Sequence, residues 1–345
     1  MSEPVRAALA AVIDGGTLTF DEALAAMGSV MDGEATPAQL AALLVALRMR
    51  GETVDELAGF AAAMRARVLA VTAPKGAIDV VGTGGDRSGT FNISTASALV
   101  VAGAGVPVAK HGNRAITSRA GSADVLEALG VRIDHTAESA AAELAATNFA
   151  FMFAPAFHPA MRHAGPTRRE IGVRTAFNLL GPLTNPAGAS RMLLGVGDAA
   201  AAPKVAAVAQ RLGTERTFVV HGAGVDELPL DGSGILHDVT ADGIETRTVD
   251  AAAFGFEHVA TEALGGGSPD ENARAIEALL NGERGPRRDV VLLNAGAAFM
   301  VAGRAPDLES GIVLAATTID SGAAAATLER LRAWKAAAAE AEASA

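Results

Sequence analysis

A glycine loop at residues 82–86 (Gly-Thr-Gly-Gly-Asp) joins a short apolar run, residues 78–81, to the polar residues Asn92, Ser94 and Thr95. Glycine has no Cβ, so such a loop can turn tightly and bring its backbone N–H groups against a ligand. These N–H groups carry partial positive charge, and the N-terminus of a following helix also favours anions. The order of strand, glycine loop and helix therefore predicts an α/β unit with a cradle for a phosphorylated substrate.

Two common phosphate-binding loops do not fit this sequence. The dinucleotide fingerprint G-x-G-x-x-G requires a glycine at position 87, which is Arg87 here. The P-loop requires Gly-Lys-Ser or Gly-Lys-Thr, and neither tripeptide occurs in the chain. A plain glycine-rich turn between a strand and a helix remains the simpler alternative, which only the neighbouring segments can decide.

A second apolar run, residues 106–109, is followed by Lys110-His111-Gly112-Asn113-Arg114 and then by hydroxyl and cationic residues up to position 124. In open α/β sheets, ligands bind outside the carboxyl ends of the strands. Two strands are therefore expected to present anion-binding residues at one edge of a sheet. For Arg119 alone, an incidental charge in a solvated loop is an equally simple interpretation.

The organisation of the chain changes near Pro74. Residues 1–72 have helical patterns, with Thr36-Pro37-Ala38-Gln39 and Thr53-Val54-Asp55-Glu56 as helix starts. Beyond them, short apolar runs alternate with helical patterns, which is typical of a largely parallel sheet covered on both faces. The predicted strands lie near 78–81, 106–109, 149–153, 192–196, 217–220 and 235–247.

Composition limits the classes of function. The 345 residues carry a formal charge of −11, which argues against general binding to nucleic acid or to a membrane surface. The chain has no cysteine, and the notable apolar runs are shorter than the ~18 residues that a membrane span requires. The first residues do not have the form of a signal peptide. We therefore expect a cytoplasmic protein that binds neither membranes nor nucleic acid.

Seven motifs taken together closely resemble the anthranilate phosphoribosyltransferases, enzymes of tryptophan biosynthesis. They are GTGGD, NIST, KHGNR, GSADVLEALG, RTAFNLLGPLTNP, VDEL and VLLNAGAAF, and they extend from about residue 78 to 300. The resemblance implies an α/β fold with a small all-helical domain plus a larger domain that has a central, mostly parallel sheet flanked by helices. It assigns residues 1–72, joined by a helical excursion near 160–187, to the first domain and residues 73–345 to the second.

The resemblance also implies a reaction. Enzymes of this family transfer the phosphoribosyl group of 5-phosphoribosyl-1-pyrophosphate (PRPP) to the amine of anthranilate and release pyrophosphate. They act in the cleft between the two domains and are usually homodimers joined through the helical domain. Because the leaving group is highly charged and the aromatic amine is neutral, positioning and electrostatics should outweigh a strong general base. No residue is therefore expected to act as a catalytic acid or base.

Site residues follow from matching positions. Ser94, Asp226 and Glu227 are expected to hold two Mg²⁺ ions, an ion that prefers oxygen ligands. Gly82, Asn113 and Arg168 are expected to contact anthranilate, with Arg168 binding its carboxylate. His111 and His158 are expected to line the anthranilate channel. The expected PRPP contacts are Gly82, Gly85, Asp86, Thr90, Asn92, Ile93, Ser94, Thr95, Lys110, His111, Gly112, Asn113, Arg114, Ala115, Ile116, Thr117, Ser118 and Ser122.

Each of these roles has a simpler alternative. The Asp226–Glu227 pair has the form of a solvated turn, Arg168 that of a surface residue like Arg169, and His158 that of a structural histidine. The sequence departs from the family pattern at Arg87, where glycine is usual, and at Ala115, where serine is frequent. Two other functions stay open: a pyrimidine nucleoside phosphorylase of the same fold, and a non-catalytic homologue that binds nucleic acid.

Overall fold

The computed structural model of the chain describes residues 2–86, 88–115 and 119–343. The predicted positions Arg87, Ile116, Thr117 and Ser118 lie outside these residues. The first four helices are α1 (Glu3–Ile13), α2 (Phe20–Met31), α3 (Pro37–Arg50) and α4 (Val54–Arg65).

Side-chain caps start these helices. Thr36 accepts a hydrogen bond from the backbone N–H of Gln39, whose side chain returns to the backbone of Thr36, so the predicted capping box is confirmed. Thr53 and Glu56 form the same arrangement at the start of α4. Helix α3 ends before Gly51, as predicted, at a residue whose φ of 89° is unfavourable for any side chain.

A seven-stranded sheet forms the centre of the second half of the fold, and its strand order is β3-β2-β1-β4-β5-β6-β7. The first five strands pair in parallel, and β6 and β7 are antiparallel to their neighbours. The strands are β1 (Ile78–Gly82), β2 (Val108–Gly112), β3 (Phe149–Phe153), β4 (Arg191–Gly195), β5 (Arg216–Gly222), β6 (Ser233–Val239) and β7 (Ile244–Asp250).

Two predicted strands were wrong in extent. The run 235–247 is not one strand but the hairpin β6–β7, because Thr240 and Gly243 close a turn with a 2.9 Å hydrogen bond from Thr240 N to Gly243 O. Strand β2 begins at Val108 rather than at 106, since Pro107 has no N–H to donate to a neighbouring strand. As a result Lys110 and His111 lie within the strand, not after it.

Helices cover both faces of the sheet. Alternate strand residues enter different cores: Val80 and Leu193 pack in one, and Val81 and Leu194 pack in the other. The remaining helices are α5 (Ile93–Gly103), α6 (Ser122–Ala128), α7 (Ala137–Thr147), α8 (Ala154–Phe157), α9 (Gly165–Ile171), α10 (Phe177–Leu180), α11 (Ala202–Arg211), α12 (Pro269–Leu280), α13 (Pro286–Val301), α14 (Leu308–Asp320) and α15 (Ala323–Ala343).

The first four helices do not form a closed core of their own. Their buried side chains share one cluster with Ala164, Phe177 and Leu183 from the segment between β3 and β4, and with residues of β4 and α11. The fold is therefore a helical layer, supported by a later excursion of the chain, beside a mostly parallel sheet flanked by helices. The helical part and the mostly parallel sheet confirm the predicted fold class. Within the described ranges, no single helix is long and apolar enough to span a membrane. Helices α14 and α15 meet these criteria only when they are taken together, and their axes are bent by 60° at the break between them.

Candidate active site

The site forms between β1 and β4, because the chain leaves β1 towards β2 on one side of the sheet and leaves β4 towards β5 on the other. This switch point opens a crevice at the carboxyl ends of the strands. Two glycines at these ends admit the loop that follows β5. An ideal Cβ on Gly82 would lie 2.1 Å from Oδ2 of Asp226, and one on Gly195 would lie 1.5 Å from its backbone oxygen. Only glycine at both positions lets Asp226 reach the end of β1.

The glycine loop is held on two sides. On one side, the Gly84 N–H donates to Oδ2 of Asp226 at 2.8 Å. On the other, Arg174 donates to the carbonyl of Gly85 at 2.9 Å. Gly84 and Gly85 have φ values of 63° and 71°, a conformation that side chains rarely adopt. The loop thus has a defined shape although it carries only small residues before Asp86.

Three carboxylates meet beside this loop. Asp86, Asp226 and Glu227 each offer an oxygen, and these oxygens lie within 4.8 Å of one another. Ser94 lines the same small cavity as Asp226 and Glu227, so the predicted metal-binding residues do come together. Asp86 was predicted only as a pyrophosphate-loop residue. Its position at the end of a glycine loop was the sequence signal that it also belongs to this acidic cluster.

The acidic cluster is short of positive charge. Burial raises the pKa of Asp226 and raises that of Glu227 well above its usual value, and the neighbouring carboxylates add to both effects. Within the described residues, Oδ2 of Asp86 and Oε2 of Glu227 are buried without a hydrogen-bond partner. Buried carboxylate oxygens without partners favour a bound cation, and an all-oxygen donor set suits Mg²⁺. The residues present therefore fit the expected metal.

Lys110 lies beneath the cluster. It is only 2% exposed, and its Nζ donates to the backbone oxygen of Val80 and, at 3.4 Å, to Oγ of Ser94. Burial lowers the pKa of Lys110 to about 8, against the opposing effect of Asp79, Glu227 and Asp226. The lysine thus supplies a buried cation next to the acidic residues, at the base of the crevice.

A buried carboxylate that the sequence analysis missed ties two strands to a later loop. Asp79, in the centre of β1, accepts from the backbone N–H of His111 at 3.2 Å and from the side chain of Asn185 at 2.7 Å. The same Asn185 amide donates to the carbonyl of Ala109 at 2.8 Å. Burial raises the pKa of Asp79 to about 6. An acidic residue within a fully buried strand was the signal available in the sequence.

The two histidines predicted for the substrate channel contact each other. The Nε2 atoms of His111 and His158 lie 3.2 Å apart, and Nδ1 of His111 lies 3.1 Å from the carbonyl of Gly181. Burial lowers the pKa of His111 to about 3 and that of His158 to about 4, so both rings are neutral at pH 7. A neutral His111 that donates from Nδ1 to the carbonyl of Gly181 carries no proton on Nε2, the atom that faces His158.

Arg168 differs from its neighbour Arg169. Arg169 is exposed, whereas Arg168 is half-buried with its guanidinium carbon 4.6 Å from the centre of the Phe177 ring. Burial lowers the pKa of Arg168. In the part of the chain that the structure describes, no carboxylate forms an ion pair with Arg168. A partly desolvated guanidinium without an anionic partner is suited to bind the carboxylate of a ligand.

The remaining predicted PRPP contacts differ in whether their side chains already have partners within the protein. Asn92 begins α5 and bonds to Asn272 and to the carbonyl of Ala120. Arg114 is already paired with Asp124 and Glu127, which raise its pKa. The other described members, distributed over the strand ends and the start of α5 and α6, are Gly82, Gly85, Thr90, Ile93, Thr95, Gly112, Asn113, Ala115 and Ser122.

Two of these residues are fully enclosed. Ile93 is 1% exposed and Thr95 is 0% exposed, so Ile93 can meet a ligand only through its backbone. Oγ1 of Thr95 has no hydrogen-bond partner within the described ranges, which leaves a buried hydroxyl at the helix start. Thr90 instead pairs with Gly265 in an isolated antiparallel backbone bridge.

Comparison with known proteins assigns both parts of the fold to one class of protein. Residues 74–325 match the α/β domain of a glycosyl transferase family, and residues 6–68 match the helical bundle domain of the same family. The structure superposes on the anthranilate phosphoribosyltransferase of Thermus thermophilus with a TM-score of 0.90, at 46% identity over 95% of this chain and 99% of that one. These matches cover both the helical layer and the sheet that carries the crevice.

Curated relatives identify one family of enzymes within this glycosyl transferase class. Anthranilate phosphoribosyltransferases from Thermomicrobium roseum and Rhodopseudomonas palustris are 54% and 52% identical, over 96% and 93% of this chain and 97% and 95% of theirs. A yeast enzyme of that name, solved with PRPP and Mg, is 27% identical with a TM-score of 0.89 over 97% of this chain and 99% of that one. This chain belongs to the anthranilate phosphoribosyltransferase family.

The acidic cluster gives a first prediction. Glu227→Gln keeps the side-chain size but removes one buried negative charge, so the metal-free protein should unfold at a higher temperature. The same variant should lose most of the increase in Tm that saturating Mg²⁺ gives the unchanged protein. Differential scanning calorimetry with and without Mg²⁺ measures both effects. Glu283→Gln, at an exposed position, is the matched control, and an undiminished Mg²⁺ response in Glu227→Gln would contradict the metal assignment.

The histidine pair gives a second prediction, on pH. Because burial holds the pKa of His158 near 4 in the folded protein, the unfolded chain binds more protons below pH 6.5, and folding stability falls as pH decreases. His158→Gln should flatten this loss between pH 6 and 4.5 by up to about 1.4 kcal/mol per pH unit. Urea unfolding over that range measures it, with the exposed His163→Gln as control. An unchanged slope would mean that His158 is protonated in the folded state.

Proposed function

We propose that this protein transfers the phosphoribosyl group of PRPP to the amine of anthranilate, giving N-(5-phosphoribosyl)anthranilate and pyrophosphate in tryptophan biosynthesis. The observation that carries the proposal is the meeting of the glycine loop with the acidic cluster of Asp86, Asp226 and Glu227. Backbone N–H groups suit the pyrophosphate oxygens, and the carboxylates suit the cation that accompanies them. One edge of the sheet thus offers both halves of a site for a metal-bound pyrophosphate.

The residues would divide the work as follows. Asp226 and Glu227, with Asp86 and Ser94, would hold up to two Mg²⁺ ions, and such ions would supply positive charge next to the pyrophosphate leaving group. Gly85 and Asp86 bind pyrophosphate oxygens through their backbone, and Lys110 adds positive charge beneath the crevice. The yeast relative has been solved with PRPP and Mg, which supports this use of the site. Rate enhancement here comes from positioning and charge stabilisation.

The acceptor would bind between the histidine pair and Arg168. Arg168 has no acidic partner in the described ranges, so it is free to bind the anthranilate carboxylate, with Gly82 and Asn113 near the amine. The neutral rings of His111 and His158 give the pocket an uncharged wall. Another structure of the yeast relative was solved with 4-fluoroanthranilate, a close analogue of this acceptor. The aromatic amine keeps its lone pair at neutral pH and needs only to be aimed at C1′.

Arg168 provides the test of substrate choice. A hydrogen bond to a charged group contributes roughly 1.5–3 kcal/mol, so Arg168→Ala should raise the KM for anthranilate about 10- to 150-fold. The KM for PRPP should stay close to that of the unchanged protein. The assay follows the loss of anthranilate fluorescence in the presence of PRPP and Mg²⁺.

Arg169→Ala is the matched control, since it removes the same charge one residue away at an exposed position. If Arg168→Ala raised the KM for PRPP as much as the KM for anthranilate, Arg168 would belong to the phosphate site or would have a structural role. Phosphate-dependent cleavage of thymidine or uridine without PRPP would favour the phosphorylase alternative, and a gel shift at physiological salt would favour the nucleic-acid alternative.

We also propose that the protein is a cytoplasmic homodimer joined through the helical layer. Helices α1 and α3 run side by side, since Ser2 and Gln39 bond at their N-terminal ends. Towards their other ends, Ile13 is 67% and Met49 84% exposed, an unusual exposure for large apolar residues. The absence of cysteine suits a reducing compartment.

Met49→Glu should therefore weaken the dimer, because it places a charge in an apolar contact. Sedimentation velocity should show a two-chain mass for the unchanged protein and a shift towards a one-chain mass for the variant. Val313→Glu is the matched control, since Val313 is 60% exposed on α14, outside the helical layer. A dimer that persists unchanged in Met49→Glu would place the interface elsewhere.

A further inference from the structure

Arg174 was not among the predicted site residues, yet its side chain packs against the glycine loop. Nη1 donates to the carbonyl of Gly85 at 2.9 Å, and Nη2 lies 3.4 Å from the carbonyl of Gly84. The guanidinium fills the space that a side chain at position 85 would need, because an ideal Cβ there would lie 2.1 Å from Nη1. A planar cation therefore contacts two successive peptide carbonyls of the loop.

The direction of these carbonyls fixes the direction of two N–H groups. In a trans peptide unit the C=O and the N–H point in opposite directions, and no peptide among the described residues is cis. The carbonyl of Gly84 shares its peptide unit with the N–H of Gly85, and the carbonyl of Gly85 shares its unit with the N–H of Asp86. Holding both carbonyls towards Arg174 therefore turns both N–H groups to the opposite side of the loop.

These two N–H groups are unused within the protein. In the described part of the chain, neither the N–H of Gly85 nor that of Asp86 donates to a protein acceptor, whereas Thr83 donates to Gly195 and Gly84 to Asp226. Two successive free N–H groups in a loop with positive φ form a concave anion site. The guanidinium also polarises the carbonyls it contacts, and a polarised peptide unit is a stronger donor at its N–H.

We propose that Arg174 is a positioning residue that aims the N–H groups of Gly85 and Asp86 at the pyrophosphate of the substrate. This role rests on the proposed function, because it assigns the ligand of the loop. Arg174 acts through the backbone of the loop and does not itself touch the reacting atoms. It also joins the glycine loop to the segment that carries Arg168, six residues earlier in the chain.

The experiment compares Arg174→Ala, Arg174→Lys and the control Arg169→Ala with the unchanged protein. Isothermal titration calorimetry measures the binding of Mg²⁺–pyrophosphate without anthranilate, at low and at high salt. Steady-state assays give KM for PRPP, KM for anthranilate and kcat, and thermal unfolding reports on the fold. The Arg169→Ala control measures the effect of losing one exposed positive charge from the same segment without losing contact to the loop.

Arg174→Ala should weaken Mg²⁺–pyrophosphate binding and raise KM for PRPP by about 10- to 30-fold, the lower part of the range for hydrogen bonds to a charged group, since the residue is exposed. The loss should persist at high salt, because it is geometric and not a screened charge effect. KM for anthranilate and Tm should change little. Lysine should restore part of the affinity, since it supplies charge and donors without the planar fork.

An unchanged affinity in Arg174→Ala, a loss that high salt abolishes, or an equal loss in Arg169→Ala would each overturn the positioning role. An equal rise in KM for PRPP and for anthranilate, or a large fall in Tm, would overturn the positioning role in favour of a structural role. These failures leave the proposed function intact, provided that the unchanged protein consumes anthranilate with PRPP. If the unchanged protein neither binds Mg²⁺–pyrophosphate nor consumes anthranilate, the proposed function itself fails.

Discussion

The close approach of Asp226 to the ends of β1 and β4 is the constraint on which the site depends. It needs glycine at both positions 82 and 195, because any Cβ there would overlap Asp226. The same approach brings Oδ2 of Asp226 within 2.8 Å of the Gly84 N–H, so it shapes the glycine loop and assembles the acidic cluster in one step. A larger residue at either glycine would therefore displace Asp226 and separate the loop from the carboxylates.

This arrangement lowers the folding stability of the protein without a cation and favours the binding of a cation. Burying Asp226 and Glu227 side by side raises the pKa of both, so in the absence of a cation these carboxylates oppose folding. Lys110 offsets part of the unfavourable charge but reaches the cluster only through Ser94 and the carbonyl of Val80. A divalent cation would offset the rest, and its binding would then stabilise the protein by mass action. The acidic cluster therefore has the charge deficit that a bound divalent cation would fill.

The sequence predicted the architecture and most of the site because both depend on local patterns. Capping at Thr36 and Thr53 and alternation of apolar runs are visible within a few residues, and so is the glycine loop. The hairpin β6–β7 was predicted as one strand, although Asp242-Gly243 between its two halves is a typical turn sequence. The roles of Asp79 and Asn185 could not be predicted from patterns, because the bond between them joins residues 106 positions apart.

The segment between β3 and β4 explains why a helical excursion is part of the site. Within a short stretch, Arg168 lies over Phe177, Arg174 holds the glycine loop, and the Gly181 carbonyl fixes the tautomer of His111. Asn185 then ties the end of the stretch to Asp79 in the central strand. Both proposed substrate sites contact one continuous piece of backbone, so a shift of this segment at the acceptor pocket would also move the support of the pyrophosphate loop. Coupling between the two substrates therefore requires no pathway through the sheet.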